Sequence, residues 1–283
     1  MRAYLLTGLL CLILQARTEA GTFAQFRTVF GDMEVELYEK DKPITVANFI
    51  HYIQAGRYQN SFIHRCDPTF VIQGGGYWIV ERGTANAQVL TVEKFDSIPN
   101  EYGAGTIYSN SYGTIAMAQN AFLGTNSANS EWFFNLNDNF FLDNHYLGNY
   151  FVVFGRVVRG TNVLEKFRTF TTSHGGATET NTIVNYGAPF NELPLLGPGT
   201  NAMESTIIYC DISLLNVQVT KSGNARQISW NSVSGRTNRV EFTTNFPPVW
   251  SLLVATNGTG TNLSVLDSNT SNRGRFYRVT VDY

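Results

Sequence analysis

Charged residues are scarce in this chain. Asp, Glu, Lys and Arg together make up 15% of its 283 residues, against roughly 25% in ordinary soluble domains. The formal net charge is -2 at pH 7, and Lys and Arg never form a run. A protein that neutralises nucleic-acid phosphates needs a basic patch or stripe. We therefore expect no nucleic-acid partner.

Cysteine is scarce as well, with three residues in the chain. Cys66 and Cys210 are far apart in sequence, and neither has a His or Cys neighbour at the spacing of metal ligands. Two such cysteines do not make a disulfide framework, although an oxidising compartment permits a bond between them. We expect no metal site, interpret Cys66 as a small core residue, and leave the pairing of the two cysteines open.

Long apolar segments are absent except at the N-terminus. Arg2 gives a short positive start, residues 4–14 are almost wholly apolar, and Ala16 and Ala20 are small residues suited to cleavage. This is the layout of a secretory signal peptide, and its apolar part is too short to span a bilayer. We predict that residues 1–20 are an export signal rather than a buried helix. The mature chain, without a membrane span, is then periplasmic, attached to the cell surface or secreted.

The rest of the chain is rich in strand-like patterns. Met33, Val35 and Leu37 alternate with polar residues, which is the period of a half-buried strand. Further strands are predicted at residues 23–30, 61–64, 69–73, 113–118, 131–136, 150–158 and 206–214. One helix is predicted after Pro43, ending before Gly56, and a second after Gly160. The apolar side chains expected to face inward from them are Val46, Phe49, Ile50, Ile53, Val163, Leu164 and Phe167. Many strands with two helices indicate an antiparallel barrel or sandwich.

The C-terminal part differs in composition. Residues 171–205 are rich in Gly, Thr, Asn and Pro without a sustained period, so we predict a long surface loop there. Thr, Ser and Asn dominate after residue 216, with short strands predicted near residues 226–230, 239–243 and 275–281. We predict a main domain over residues 21–216 and a small β-sandwich-like module over residues 217–283. The sequence does not identify a ligand for this module.

Residues 62–76 contain the most informative pattern. Two strands around a turn at residues 67–69 are expected to place Arg65 beside a small apolar floor that includes Phe70 and Val71, with Gln73 on the returning strand. Residues 116–119 and 130–134 are expected to complete the walls, and residues 140–143 to form a rim.

These residues resemble the signature of the cyclophilin family. That signature is an Arg in a Phe-His-Arg-like segment, a Phe five residues later and a Gln eight residues later that leads into Gly-Gly; here they are Arg65, Phe70 and Gln73. Further matches follow in the same order at residues 45–49, 117–118, 130–135, 141–143 and 153–155. The resemblance runs from about residue 26 to about residue 214 and is greatest to the bacterial branch.

The resemblance implies a mainly β fold, an eight-stranded antiparallel barrel capped by two helices, with peptidyl-prolyl cis/trans isomerase activity. The partners would be proline-containing polypeptides, and the reaction needs no cofactor and no metal; we expect a monomer. Rotation about an X-Pro amide faces a barrier of roughly 18–20 kcal/mol. Rotation gives the prolyl nitrogen a lone pair, so a fixed donor beside it binds the twisted state more strongly than the planar one.

The resemblance also implies roles for individual residues. Arg65 is the donor to the prolyl nitrogen, and Gln73 hydrogen-bonds the substrate backbone. Gln119 lines the groove mainly through its main-chain carbonyl. The proline pocket, the groove beside it and its rim are formed by Phe70, Val71, Phe133, Leu142, Ala118, Glu131, Phe141 and Phe151.

Four residues in the matched segments depart from the common family pattern. Glu131 stands where many members have Gln and could bring a negative charge near Arg65, and Phe151 replaces a His. Thr69 replaces the usual turn glycine, and Phe141 stands where eukaryotic members have Trp, which predicts weaker cyclosporin binding. A second hypothesis follows: a protein with a groove that binds peptides without turnover, in which the C-terminal module does the recognising.

Other polar residues in the sequence are given structural interpretations. We interpret His64 as a hydrogen-bonded strand residue, and His51, His145 and His174 as surface or groove residues. Gly74, Gly75 and Gly76 lack the Lys and Ser or Thr of a phosphate-binding loop and indicate a tight strand exit. Ser130 has no motif partners for a hydrolase.

Overall fold

The structure is a computed structural model that describes residues 22–120, 122–143, 150–172, 181–197, 204–215, 217–232, 237–245, 247–259, 261–269 and 274–282. The predicted export signal, His145 and His174 lie outside these residues. None of the helices in the described ranges has the length and apolar character needed to cross a bilayer.

Strands dominate the described part of the chain up to residue 215. In chain order the elements are β1 (Phe23–Thr28), β2 (Gly31–Leu37), α1 (Pro43–Gln54), β3 (Arg65–Cys66), β4 (Val71–Gly74), β5 (Tyr77–Val80), β6 (Gln88–Thr91), β7 (Thr114–Met117), β8 (Trp132–Asn135), β9 (Val153–Arg159), α2 (Thr161–Arg168), β10 (Thr171–Thr172), β11 (Asn181–Val184), β12 (Leu193–Leu196) and β13 (Asp211–Leu215).

Eight of these strands form one antiparallel sheet in the order β13-β1-β2-β9-β7-β8-β4-β3. Its two ends meet through the residues that precede β3 and β13. Ile63 N donates to Ile208 O at 3.0 Å, and Cys210 N donates to Ser61 O at 2.8 Å. These bonds join the edges, so the sheet curls into a barrel. The prediction of a mainly β, eight-stranded antiparallel barrel with two helices is confirmed.

Aromatic side chains fill the barrel interior. The Phe26 ring meets the Trp132 ring edge-on at 5.0 Å between centroids and the Phe134 ring at 4.9 Å. Helix α1 starts at Pro43, whose fixed φ suits a first helical turn. It buries Phe49 against the Phe26 ring. The core therefore fixes β8, the strand whose opposite side chains face the groove.

Helix α2 buries the three side chains expected to face inward, Val163, Leu164 and Phe167. In α1 the fully buried apolar side chains are Val46, Phe49 and Tyr52, whereas Ile50 and Ile53 are only partly buried. The inner face of α1 is thus rotated slightly from the predicted one.

Two predictions about local structure were wrong, and one strand pair was missed. Residues 171–205 are not simply a surface loop, because they contain β10, β11 and β12 in a three-stranded sheet. Leu193 and Leu195 of this sheet are buried. Its strands have only two to four residues, too few to show a period. The hairpin of β5 and β6 was not predicted, and residues 61–64 form bridges and single hydrogen bonds ahead of a strand that begins at Arg65.

From residue 217 onward the described chain forms only strands, namely β14 (Val217–Ser222), β15 (Ala225–Asn231), β16 (Thr237–Thr243), β17 (Ser251–Asn257), β18 (Asn262–Asp267) and β19 (Phe276–Asp282). They make two three-stranded antiparallel sheets, β14-β15-β18 and β17-β16-β19. Ile228, Trp230, Val240 and Val279 share one buried cluster. The Trp230 indole N–H donates to Asn238 Oδ1 at 3.2 Å, which satisfies its one polar atom. The boundary at residue 216 stays a prediction.

Cys66 and Cys210 are both buried, free thiols. Burial raises the pKa of each thiol well above its usual value. Cys66 therefore fits the core interpretation made from the sequence.

Candidate active site

The β3–β4 hairpin places the motif residues. Arg65 pairs with Gln73 in the β3–β4 register, so residues eight apart in sequence stand side by side on neighbouring strands. The turn between them is closed by Phe70 N donating to Asp67 O at 2.9 Å. Asp67 Oδ1 also accepts from the backbone N and the hydroxyl of Thr69, at 2.9 and 2.8 Å. These two bonds let Thr69 take the position of a turn glycine.

One cavity of about 170 Å³ brings most of the predicted site residues together, whereas Glu131 and Phe141 do not line it. Val71 of β4 and Phe133 of β8 line its floor, and both pack in one apolar cluster with Ala116 of β7. The side chains around the cavity are Arg65, Phe70, Val71, Gln73, Ala118, Gln119, Phe133, Leu142 and Phe151. The mouth thus combines one guanidinium and two amides with an apolar interior.

The Arg65 guanidinium lies between an aromatic ring and a carboxylate. Its Cζ is 5.6 Å from the centroid of the Phe70 ring, within cation–π range. Its Nε donates to Glu192 Oε2 at 2.7 Å. About a third of the Arg65 side chain remains exposed. The cation is therefore held at two points and stays partly exposed.

The rim rests on a polar network. Asn139 Nδ2 donates to Phe70 O at 2.9 Å and to Asn135 Oδ1 at 2.8 Å. Asn139 O accepts from Leu142 N at 2.9 Å. Phe141 is half-exposed and stacks on Phe70, with 5.5 Å between ring centroids. Buried, hydrogen-bonded amides of this kind fix the backbone on either side of the pocket.

Glu131 contacts Gln73. Gln73 Nε2 donates to Glu131 Oε2 at 2.8 Å, and Lys94 Nζ lies 3.2 Å from Glu131 Oε1. His64 Nε2 is 3.6 Å from the same carboxylate. Burial alone would raise the pKa of Glu131, but His64 and Lys94 outweigh it and lower the pKa to about 2. Glu131 was expected to bring a negative charge near Arg65, but its carboxylate contacts Gln73, Lys94 and His64. The carboxylate that pairs with Arg65 is that of Glu192, and Glu131 fixes the orientation of the Gln73 amide.

The family model described as "Cyclophilin type peptidyl-prolyl cis-trans isomerase/CLD" matches residues 23–188. The chain belongs to this family. It is 33% identical over 165 residues to a peptidyl-prolyl cis-trans isomerase of Acinetobacter baylyi, covering 58% of this chain and 81% of that protein. It is 35% identical over 154 residues to peptidyl-prolyl cis-trans isomerase B of Escherichia coli, covering 53% and 87%.

Solved cyclophilin structures are also similar to this chain. One is a crystal structure of a Cryptosporidium parvum cyclophilin-type peptidyl-prolyl cis-trans isomerase in the presence of the dipeptide Ala-Pro. The match has a TM-score of 0.41 and 20% identity, and covers 68% of this chain and 98% of the other.

One departure from the cyclophilin pattern and one predicted groove residue have visible consequences. The Phe151 ring meets Phe133 edge-on at 5.7 Å between centroids, so an aromatic wall replaces a polar one. Gln119 was expected to act mainly through its backbone, but its Nε2 also donates to Tyr150 O at 2.7 Å. That bond ties the segment before Phe151 to the groove. The roles assigned to the individual groove residues stay predictions.

Several polar residues of this cyclophilin lie away from the cavity or are inaccessible. His51 stacks on Phe95 with 4.0 Å between ring centroids, and Ser130 is fully buried. His64 is buried behind Gln73, and its backbone N donates to Gln73 O at 3.1 Å. Within the ranges that the structure describes, no three His, Cys, Asp or Glu side chains cluster in a way that could hold a metal ion.

Sequence reasoning missed Glu192, Asn135 and Asn139. Glu192 is 127 residues from Arg65 in the chain and lies in a segment without periodicity, so no sequence signal pointed to it. The two asparagines lie on and just after β8. Their position as polar residues beside aromatic ones is the sequence signal that could have identified them.

Glu131 should make the stability of the fold sensitive to acid. Its pKa is lowered from 4.5 to about 2 in the folded protein, so its stabilising contribution is complete above the unfolded value and is lost as the pH falls towards 2. We expect wild type to lose about 3 kcal/mol more unfolding free energy than Glu131→Gln between pH 5 and pH 2. Urea unfolding at stepped pH measures this. Equal losses in both proteins would contradict the assigned charge contacts.

Proposed function

We propose that this cyclophilin accelerates cis/trans rotation about X-Pro bonds in polypeptides outside the cytoplasm and thereby assists their folding. One observation carries the proposal: the Arg65 guanidinium stands at the mouth of an apolar cavity of about 170 Å³. Val71, Phe133 and Leu142 give this small cavity an apolar interior that suits a single small ring. Uncatalysed rotation takes tens to hundreds of seconds and can limit folding.

The arrangement suits rotation about one bond while the ring is held. Val71, Phe133 and Leu142 would bind the prolyl ring. Their apolar contacts hold the ring and do not oppose rotation of the rest of the peptide about the X-Pro bond. Arg65 Nε is used by Glu192, so its terminal N–H groups would face the prolyl nitrogen. That nitrogen accepts a hydrogen bond only once the amide has lost its planarity, so the donor favours the transition state.

Gln73 would align the substrate backbone. Because its Nε2 donates to Glu131, its Oε1 is left to accept a peptide N–H. The reaction in this scheme needs neither a nucleophile nor a proton transfer.

A refolding experiment tests the role in folding. The slow, proline-limited refolding phase of a denatured substrate protein is followed with and without the purified cyclophilin. We expect a faster slow phase, inhibited by an excess of Ala-Pro peptide and not by the matching Ala-Ala peptide. An unchanged slow phase would contradict the proposal.

The proposed location depends on residues 1–20, whose composition supports an export signal. These residues fused to a reporter that works only after export should give a signal, and Leu9→Lys in the apolar part should abolish it. A reporter that stays in the cytoplasm with the intact segment would contradict the proposed location.

Peptide binding without turnover is the second candidate, favoured by the ion pair that partly neutralises Arg65. Titration of an Ala-Pro peptide separates the two. Binding accompanied by unchanged exchange between its cis and trans forms would favour the second candidate.

A further inference from the structure

The segment from Ala188 to Glu192 lies against the Arg65 side of the groove. Cys66, next to Arg65, donates its backbone N–H to Glu192 O at 2.8 Å. Phe190 packs on Tyr77 at 4.8 Å and on Phe62 at 6.2 Å between ring centroids. These contacts, together with buried Leu193, hold Glu192 at a fixed distance from β3.

The carboxylate of Glu192 uses this fixed position to bind Arg65. Oε2 accepts from Arg65 Nε at 2.7 Å, which leaves the two terminal nitrogens of the guanidinium outside the pair. A bond at Nε restricts the last torsions of the Arg side chain, and the Phe70 ring restricts the plane from another side. The direction of the remaining N–H groups is thus set by Glu192.

A second cavity, of about 340 Å³, opens on the far side of Arg65 and is lined by Arg65, Ala188, Pro189, Asn191 and Glu192. Without the Glu192 contact the guanidinium could swing into this space and away from the proline pocket. Glu192 also lies beyond residues 23–188, the part of the chain that the family model matches. The contact is therefore made by a residue outside the segment that the family model matches.

We propose that Glu192 is a positioning residue for the isomerase reaction. It holds Arg65 Nε so that the terminal N–H groups point into the proline pocket. The proposal rests on the proposed function. The carboxylate also reduces the net charge of Arg65, which opposes catalysis, but misdirecting a donor costs more than partly screening it, since an error of about 1 Å can cost 10²-fold in rate.

A double-mutant cycle tests the proposal. The proteins are wild type, Arg65→Ala, Glu192→Ala, Glu192→Gln and the double alanine variant, with kcat and KM measured on an Ala-Pro peptide. We expect Glu192→Ala to lower kcat about 10-fold with little change in KM, because only the twisted state needs the aimed donor. Glu192→Gln should recover most of the activity, since its amide oxygen can still accept from Nε. In the Arg65→Ala background the second substitution should change nothing.

The matched control is Glu36→Ala, which removes a similarly exposed glutamate paired with Arg156 at 3.1 Å. It should leave kcat unchanged. Additive losses in the double variant, or a rise in kcat for Glu192→Ala, would overturn the positioning role.

The NMR signal of the Arg65 Nε–H group separates this proposal from the proposed function. The Nε–H proton should be protected from exchange with water in wild type and in Glu192→Gln. It should lose that protection in Glu192→Ala. Absence of turnover in wild type would refute the proposed function, whereas turnover in wild type with an unprotected Nε–H would refute the role of Glu192 alone.

Discussion

Replacing Arg65 with alanine is expected to lower kcat/KM for an Ala-Pro peptide by about 100- to 1000-fold, the range seen when a preorganised donor is removed from a reaction centre. The cavity would keep its apolar walls, because Val71, Phe133 and Leu142 pack on one another and on Val153. Binding of the peptide should therefore weaken much less than the rate of exchange falls. This separation of rate from binding is the signature of a donor used in the twisted state.

The loss should not come from unfolding. Arg65 and Glu192 are both about one-third exposed, and such pairs contribute only about 0–1 kcal/mol to stability. Arg156→Ala is the matched control, because Arg156 also forms a half-exposed ion pair on the barrel but lies outside the groove. We expect it to keep full activity. Comparable losses in both variants would show that removal of a surface cation, not of the donor, lowers the rate.

Gly75→Ala should destabilise the protein by about 4 kcal/mol. Gly75 has a φ of 79°, where a Cβ costs roughly 1–2 kcal/mol. A Cβ there would also overlap the carbonyl oxygen of Ser130 and lie 2.9 Å from Trp132 Nε1. Relieving such overpacking costs a further 1–3 kcal/mol, roughly. The two costs add because one is local and the other arises from packing.

Gly83→Ala separates these two costs. Gly83 has nearly the same φ, 80°, but a Cβ there meets nothing within 4 Å. Its substitution should cost only about 1–2 kcal/mol. Urea unfolding of both variants measures the difference, and equal costs would contradict the close packing at Gly75. Since Ser130 and Trp132 flank Glu131 at the start of β8, Gly75→Ala should also lower the activity.

The part of the site that the sequence predicted is the part encoded locally. Arg65, Phe70 and Gln73 lie on one hairpin. Its two strands pair Arg65 with Gln73, eight residues later, and this register determines which side chains are neighbours. Phe133 and Leu142 come from distant segments, and they were assigned through the likeness to cyclophilins rather than through the pattern of the chain itself.

The environment of the charges could not be predicted in this way. The partner of Arg65 is a glutamate on a segment with strands too short to show a period. Glu131 was expected near Arg65. Its carboxylate instead contacts His64 and Lys94 and orients the Gln73 amide. Contacts of this kind depend on how remote segments fold back on the barrel, and hydrophobic periodicity carries no information about them.

The most direct test of the account is exchange NMR on a short Ala-Pro peptide with catalytic amounts of the purified protein. The account predicts that cis/trans exchange becomes fast with wild type, stays nearly at its uncatalysed rate with Arg65→Ala, and remains fast with Arg156→Ala. The contrary result is that the peptide binds in the groove of wild type but its cis/trans exchange stays at the uncatalysed rate. That result would contradict the claim that this cavity catalyses prolyl rotation.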